Sequence, residues 1–162
     1  MVNKRVNLAP FVLWSAALIL ADQITKAIAR ANMAEGEFIT IIPHVLDFTL
    51  VFNQGIAFGM LQGLGKWLAP VAIIMTGFAY WLYTKREPND KMQALVAILV
   101  AGGAIGNVID RLTMGRVTDF INIKIIPVFN FADIYITISF VVMAILIMRQ
   151  EPKPDSEPTE TS

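Results

Sequence analysis

Residues 110–133 read Asp110-Arg-Leu-Thr-Met-Gly115-Arg-Val-Thr-Asp119-Phe-Ile-Asn-Ile-Lys-Ile-Ile-Pro-Val-Phe-Asn130-Phe-Ala-Asp133. The stretch joins two long apolar runs and carries three carboxylates, Asp110, Asp119 and Asp133. Soluble domains seldom set acidic residues so close to the ends of runs this apolar. Charges at membrane depth are costly and are usually paired or functional.

Of the whole sequence, 56% is apolar and only 16% charged, and the formal net charge is zero. That balance is low in charge for a soluble domain and gives a nucleic-acid partner no electrostatic support. The chain has no cysteine, so thiol nucleophiles, disulfides, iron–sulfur clusters and Cys-type zinc sites are excluded together. The one histidine, His44, follows Pro43 in a half-polar segment, a poor setting for a Ser-His-Asp triad or a metal centre. Ser15 and Ser139 lie inside apolar runs. Hydrolytic chemistry, if present, falls to carboxylates.

Four apolar spans follow from length and hydropathy. The first runs from near Leu8 to Ala31, behind the basic start Asn3-Lys4-Arg5. A signal peptide shares that beginning, but Asp22 and Lys26 interrupt the path to any cleavage site and further spans follow. The second is Trp67 to Tyr83, with Trp67, Tyr80, Trp81 and Tyr83 as interface anchors and Pro70 in its first turn. The third is Met92 to about Leu112, thinned on one face by Gly102, Gly103 and Gly106. The fourth is about Phe131 to Met148.

Between the first two spans, residues 36–65 change character. Phe38–Ile42 and Val45–Phe52 are rich in β-branched and aromatic residues, which favours short strands. Asn53-Gln54-Gly55 signals a turn, and glycine-dotted Ile56–Leu64 suits a short interfacial helix. Because a sheet edge cannot face hydrocarbon, the strands are expected at or above the headgroups. Residues 151–162 are rich in Glu, Pro, Ser and Thr and read as a disordered tail. The domain is therefore expected over residues 1–150, with both termini and the charged turn at Lys85, Arg86 and Lys91 on the cytoplasmic side.

On that topology the interrupting polar groups collect on the outer side: Asp22/Lys26, Asn53, Asn107/Asp110/Arg111, Asp119 and Asn130/Asp133. Asp22 and Lys26 are spaced to pair along one helix face. Asn107, Asp110 and Arg111 share a face, as do Asn130, Asp133 and Thr137. Asn130 suits a helix cap, which puts Asp133 at the positive end of the helix dipole. On the residues alone, Asp119 in a loop and Asp133 at a helix start are equally readable as ordinary surface and capping groups. A transporter or channel using intramembrane carboxylates, or an assembly protein, also stays open. No internal repeat supports transport, and assembly leaves the carboxylates flanking an extended loop without a purpose.

Five short patterns in order resemble the lipoprotein signal peptidase (signal peptidase II) family of bacterial membrane aspartyl peptidases. They are Asp22-Gln23-x-x-Lys26, Asn53-x-Gly55-x-Ala57-Phe58, Gly106-Asn107-x-x-Asp110-Arg111, Val117-x-Asp119-Phe120 and Phe129-Asn130-x-Ala132-Asp133. Each is weak alone; together, placed among four spans, they are specific. Ile56 and Gly59 stand where the family often has Ala and Ser, which touches loop packing and fine substrate preference.

The resemblance implies a mainly α membrane protein with four transmembrane helices, a small extracytoplasmic β-sheet cradle and a short interfacial helix. It implies Asp119 and Asp133 as the catalytic dyad, with no metal and no cofactor. The substrate it implies is a diacylglyceryl-modified prolipoprotein, cut just before the lipidated Cys in the inner membrane. Asn53, Gly55, Asn107, Arg111 and Asn130 are then expected to hold the substrate or support the site, with lipid phosphate or Asp110 as other partners for Arg111. Asp22, Lys26 and Asp110 are expected to be structural. Phe58 and Phe120 are expected to pack, shield the site or hold acyl chains. A monomer with no nucleic-acid partner is expected.

Overall fold

The computed structural model describes residues 6–54, 69–87 and 90–149. Its elements are α1 (Ala9–Asn32), β1 (Phe38–Ile42), β2 (Leu46–Asn53), α2 (Ala69–Lys85), α3 (Lys91–Met114), β3 (Val117–Asn122) and α4 (Phe131–Met148). Gly55, Phe58, the expected interfacial helix, Trp67 and the tail lie outside the described residues.

Local chemistry sets the helix ends. Pro10 lies in the first turn of α1, where its missing N–H is least costly. The Asp90 carboxylate caps α3 by accepting from the Gln93 backbone N–H at 2.8 Å. Gly115 closes α3 in the left-handed conformation, φ 72°, and its N–H donates to the Arg111 carbonyl. Asn130 and Asp133 form a reciprocal capping box at the start of α4.

Helices α1, α3 and α4 are long and apolar enough to cross a bilayer. Helix α2 is described over 17 residues, about 25 Å at the usual helical rise. The packing is polar inward and apolar outward. On α1 the stripe Phe11, Ser15, Asp22, Lys26 and Ala29 is buried, while Val12, Leu13, Trp14, Leu20, Ile24 and Ile28 are exposed. Phe140 and Val141 of α4 and Ile73 and Ile74 of α2 also face outward. An outer surface of this kind matches lipid, and the buried polar stripe matches a bundle interior.

Glycines let α3 approach two neighbours at once. A Cβ on Gly102 would meet Leu18 of α1 at 2.9 Å, and one on Gly106 would meet the Asp22 carboxylate at 2.7 Å. A Cβ on Gly103 would meet the Ala132 carbonyl of α4 at 2.5 Å. The expected single thin face is thus two faces, because about 100° of helical rotation separates Gly102 from Gly103. Toward the α2–α3 turn, Phe11, Ala79, Tyr83, Val96 and Val100 form the apolar core. The Tyr83 ring packs at a tilt against Phe11 with centroids 4.8 Å apart, and its hydroxyl donates to the Asn7 carbonyl. Tyr83 is therefore a core residue and not the interface anchor its position suggested; Tyr80 and Trp81 are exposed.

The three strands pair antiparallel in the order β1-β2-β3. Strand β3 is the element missing from the sequence reading, which left Asp119 in a loop. Its register places Val51 opposite Asp119 and Asn53 opposite Val117. Asn53 and Asp119 are thereby diagonal neighbours on one face of the sheet. Residues Val117–Phe120 are all buried, so the half-exposed alternation that marks an ordinary strand is absent from the part that matters.

Candidate active site

Three elements bring the polar residues together. The first half of β3 presents Asp119, the first turn of α4 presents Asp133, and the last turns of α3 present Asn107 and Arg111. Asn130 links them. Its side-chain nitrogen donates to Asp119 Oδ1 at 2.6 Å and to Asn107 Oδ1 at 3.1 Å. Its side-chain oxygen accepts from the Asp133 backbone N–H at 3.1 Å. Its own backbone N–H donates to Asp133 Oδ2 at 3.2 Å. One fully buried asparagine therefore touches both carboxylates.

The remaining carboxylate oxygens are also met. Asn53 Nδ2 donates to Asp119 Oδ2 at 3.1 Å, and Asn107 Nδ2 donates to Asp133 Oδ1 at 2.8 Å. Both aspartates line a cavity of about 690 Å³. Asn53, Asn107 and Arg111 share that wall with Met75 of α2 and Pro127 and Phe129 of the loop before α4. Burial, and next the charge of Asp133, push the Asp119 carboxyl up to about 7 against the donations from Asn53 and Asn130. Because the charge of Asp133 is among the causes, the two carboxyls are coupled and their titration belongs to the pair.

A second polar layer lies beneath. Asp22 and Lys26 pair at 2.8 Å, both inaccessible to solvent. Asp22 Oδ1 accepts the Ala132 backbone N–H at 3.0 Å, which ties α1 to the start of α4. Asp110 does not pair with Arg111. Its Oδ2 accepts the Thr118 backbone N–H at 2.8 Å, and Arg30 and Lys26 stand within 3.8 and 3.7 Å of its oxygens. The reason is position: Asp110 faces α1 and β3, whereas Arg111 turns to the cavity and makes no hydrogen bond or ion pair with any described residue. Phe120 is buried against Phe48 and Phe131 and is not part of the cavity wall.

Three contributors escaped the sequence reading as members of this network. Gln23 donates to Asp22, to the Gly106 carbonyl and to Asp110. Arg30 donates to the Thr118 hydroxyl at 2.8 Å, and Thr118 gives its carbonyl to Asn130. Gln23 stands within the Asp-Gln-x-x-Lys pattern, a usable signal. Thr118 carries none without the strand.

A family model described as Signal peptidase (SPase) II matches residues 14–149. This chain belongs to the signal peptidase II family. A lipoprotein signal peptidase of Hydrogenovibrio crunogenus is 36% identical, with 99% of this chain and 98% of that one aligned. One of Staphylococcus carnosus is 38% identical over 82% of this chain and 86% of its own. A solved structure described as a bacterial membrane enzyme, obtained by the in meso method at 2.3 Å, superposes with TM-score 0.80 at 31% identity. That alignment covers 94% of this chain and all of the other. Signal peptidase II membership fits the apolar exterior: the protein is a multi-pass membrane peptidase.

Proposed function

We propose that this signal peptidase II is an aspartic endopeptidase that removes signal peptides from diacylglyceryl-modified prolipoproteins, cutting before the lipidated Cys. The observation that supports it best is the single asparagine, Asn130, holding Asp119 and Asp133 on one cavity wall. The pair shares one proton. Its ionised member takes a proton from water, and its protonated member polarises the scissile carbonyl. As the tetrahedral adduct collapses, the acid gives a proton to the leaving nitrogen. Arg111 and Asn53, both on the cavity wall, hold substrate carbonyls in this reading. Asp22, Lys26 and Asp110 hold the frame. No cofactor is required by this chemistry. The transport reading is not favoured, since the relatives aligned across the chain are peptidases.

In the same reading the protein is a monomer of one domain over residues 1–150, with a tail at 151–162. It crosses the inner membrane four times, α2 being the second span. Both termini are cytoplasmic, and the sheet is a cradle on the outer side with the active site beside it. The cavity wall of Met75, Ile136 and Ile138 suits the diacylglyceryl chains. The test is mass analysis of a diacylated precursor incubated with the purified protein in lipid. A new lipid-bearing Cys N-terminus is expected; an intact precursor, or a cut elsewhere, contradicts the assignment.

A further inference from the structure

Lys26 is fully buried, yet an ion pair is not all it makes. Its ammonium lies 2.8 Å from Asp22 Oδ2 and also donates to Asn107 Oδ1 at 2.9 Å. Asn130 Nδ2 donates to the same oxygen. With two donors on its oxygen, Asn107 has only its NH2 left to offer Asp133, and that contact is 2.8 Å. An asparagine amide turned end for end has almost the same shape but the opposite polarity. Turned over here, it would set its NH2 against the Lys26 ammonium and the Asn130 donor, and its oxygen against the Asp133 carboxylate.

We propose that Lys26 is a positioning residue: its buried ammonium fixes the orientation of the Asn107 amide, so that Asn107 donates to Asp133 and holds the dyad in its working arrangement. This rests on the dyad reading above. It goes further than a structural ion pair, because the effect on turnover passes through one named side chain. The charged and titratable groups around this chain of contacts are Asp22 and Arg30 on α1, and Asp110 and Arg111 on α3. Asp119 on β3 and Asp133 and Tyr135 on α4 complete the set among the described residues.

Removing Lys26 alone strands a buried carboxylate, so the test replaces both partners. Asp22→Asn/Lys26→Met keeps a carbonyl for the Ala132 N–H and removes the cation from Asn107. Expected are a kcat lower by about tenfold to a hundredfold, little change in KM, and an acid limb of the pH–rate profile moved to higher pH. In the Asn107→Ala background the same pair of changes is expected to cost no further turnover, as coupling through Asn107 requires. Asp22→Asn/Lys26→Gln restores a neutral donor near Asn107 and is expected to recover part of kcat; if the Met form does not fold, the cycle is run with this one. Wild-type kcat and pH profile in the double variant, losses that multiply with Asn107→Ala, or a Gln form no better than the Met form would overturn the proposal. Asp119→Asn and Asp133→Asn are assayed alongside. Full turnover in either removes the dyad reading itself, whereas their inactivity with an unaffected Lys26 variant removes this inference alone.

Discussion

Asp119 shows how a residue's environment decides its use. A surface aspartate is ionised at neutral pH, whereas burial beside Asp133 lifts this one to about 7. If its protonated form is the working acid, turnover falls as pH rises above about 7, and a pH–rate profile on lipidated precursor is expected to show that limb. The same shift has a consequence for stability. The native state holds the Asp119 proton more tightly than the unfolded chain, so its stabilising effect is complete below the unfolded value near 3.8 and is lost as pH climbs to about 7. Melting temperatures in detergent between pH 5 and 8 should therefore fall more steeply for the wild type than for Asp119→Asn. Parallel curves would mean the carboxyl titrates as though exposed. Asn130 is the other critical residue: Asn130→Ala removes a helix cap, costing about 1–2 kcal/mol, and also releases both carboxylates. Activity is expected to fall far more than that loss of stability explains, as unfolding and turnover measured together would show.

At the scale of elements, what the sequence disclosed and what it hid have different physical causes. Helices α1, α3 and α4 were legible because a bilayer demands long apolar runs, and the Asn130 cap was legible because its partner sits three residues away. Strand β3 was hidden because its first four residues are buried on both faces, tucked between β2 and the helix ends. The split of the glycines between two helices was hidden as well, since a helix face is visible in spacing but its neighbour is not. Which of the alternatives open to Arg111 holds was hidden for the same reason: residues 110 and 111 are adjacent in sequence but point to different sides, and Asp110 is not its partner. These contacts rank the glycines. Gly103→Ala drives a Cβ into the Ala132 backbone carbonyl, which cannot swing away, and is expected to destabilise the protein by about 2–3 kcal/mol or more. Gly102→Ala meets Leu18 Cβ at 2.9 Å, which no rotamer moves, so α1 must give by a few tenths of an ångström; the change is expected to be the milder of the two because the overlap is smaller than the 2.5 Å approach at Gly103. Thermal unfolding of the two variants in one detergent compares them, and the opposite order would contradict the packing described.

The whole molecule inverts the pattern of a soluble protein. Fully buried Asp22 and Lys26 lie within a bundle whose outside carries Leu13, Ile24, Ile74 and Phe140. Lipid supplies the outer solvent, and the polar interior supplies the chemistry. The proposed topology puts the charged α2–α3 turn in the cytoplasm, the side that its Lys and Arg residues favour; a reporter fused at residue 87 is expected to be active only as a cytoplasmic reporter. The opposite result would put the site on the wrong side for the proposed substrate.

Asp119 and Asp133 are proposed to act as one catalytic unit. The direct measurement is single-turnover cleavage of a diacylated precursor by Asp119→Asn, Asp133→Asn and the double variant, each confirmed as folded. Each single change is expected to slow cleavage by about a thousandfold or more, and the double change to add little, as for residues that function together. A single variant cleaving at the wild-type rate, or losses that multiply in the double variant, would contradict it.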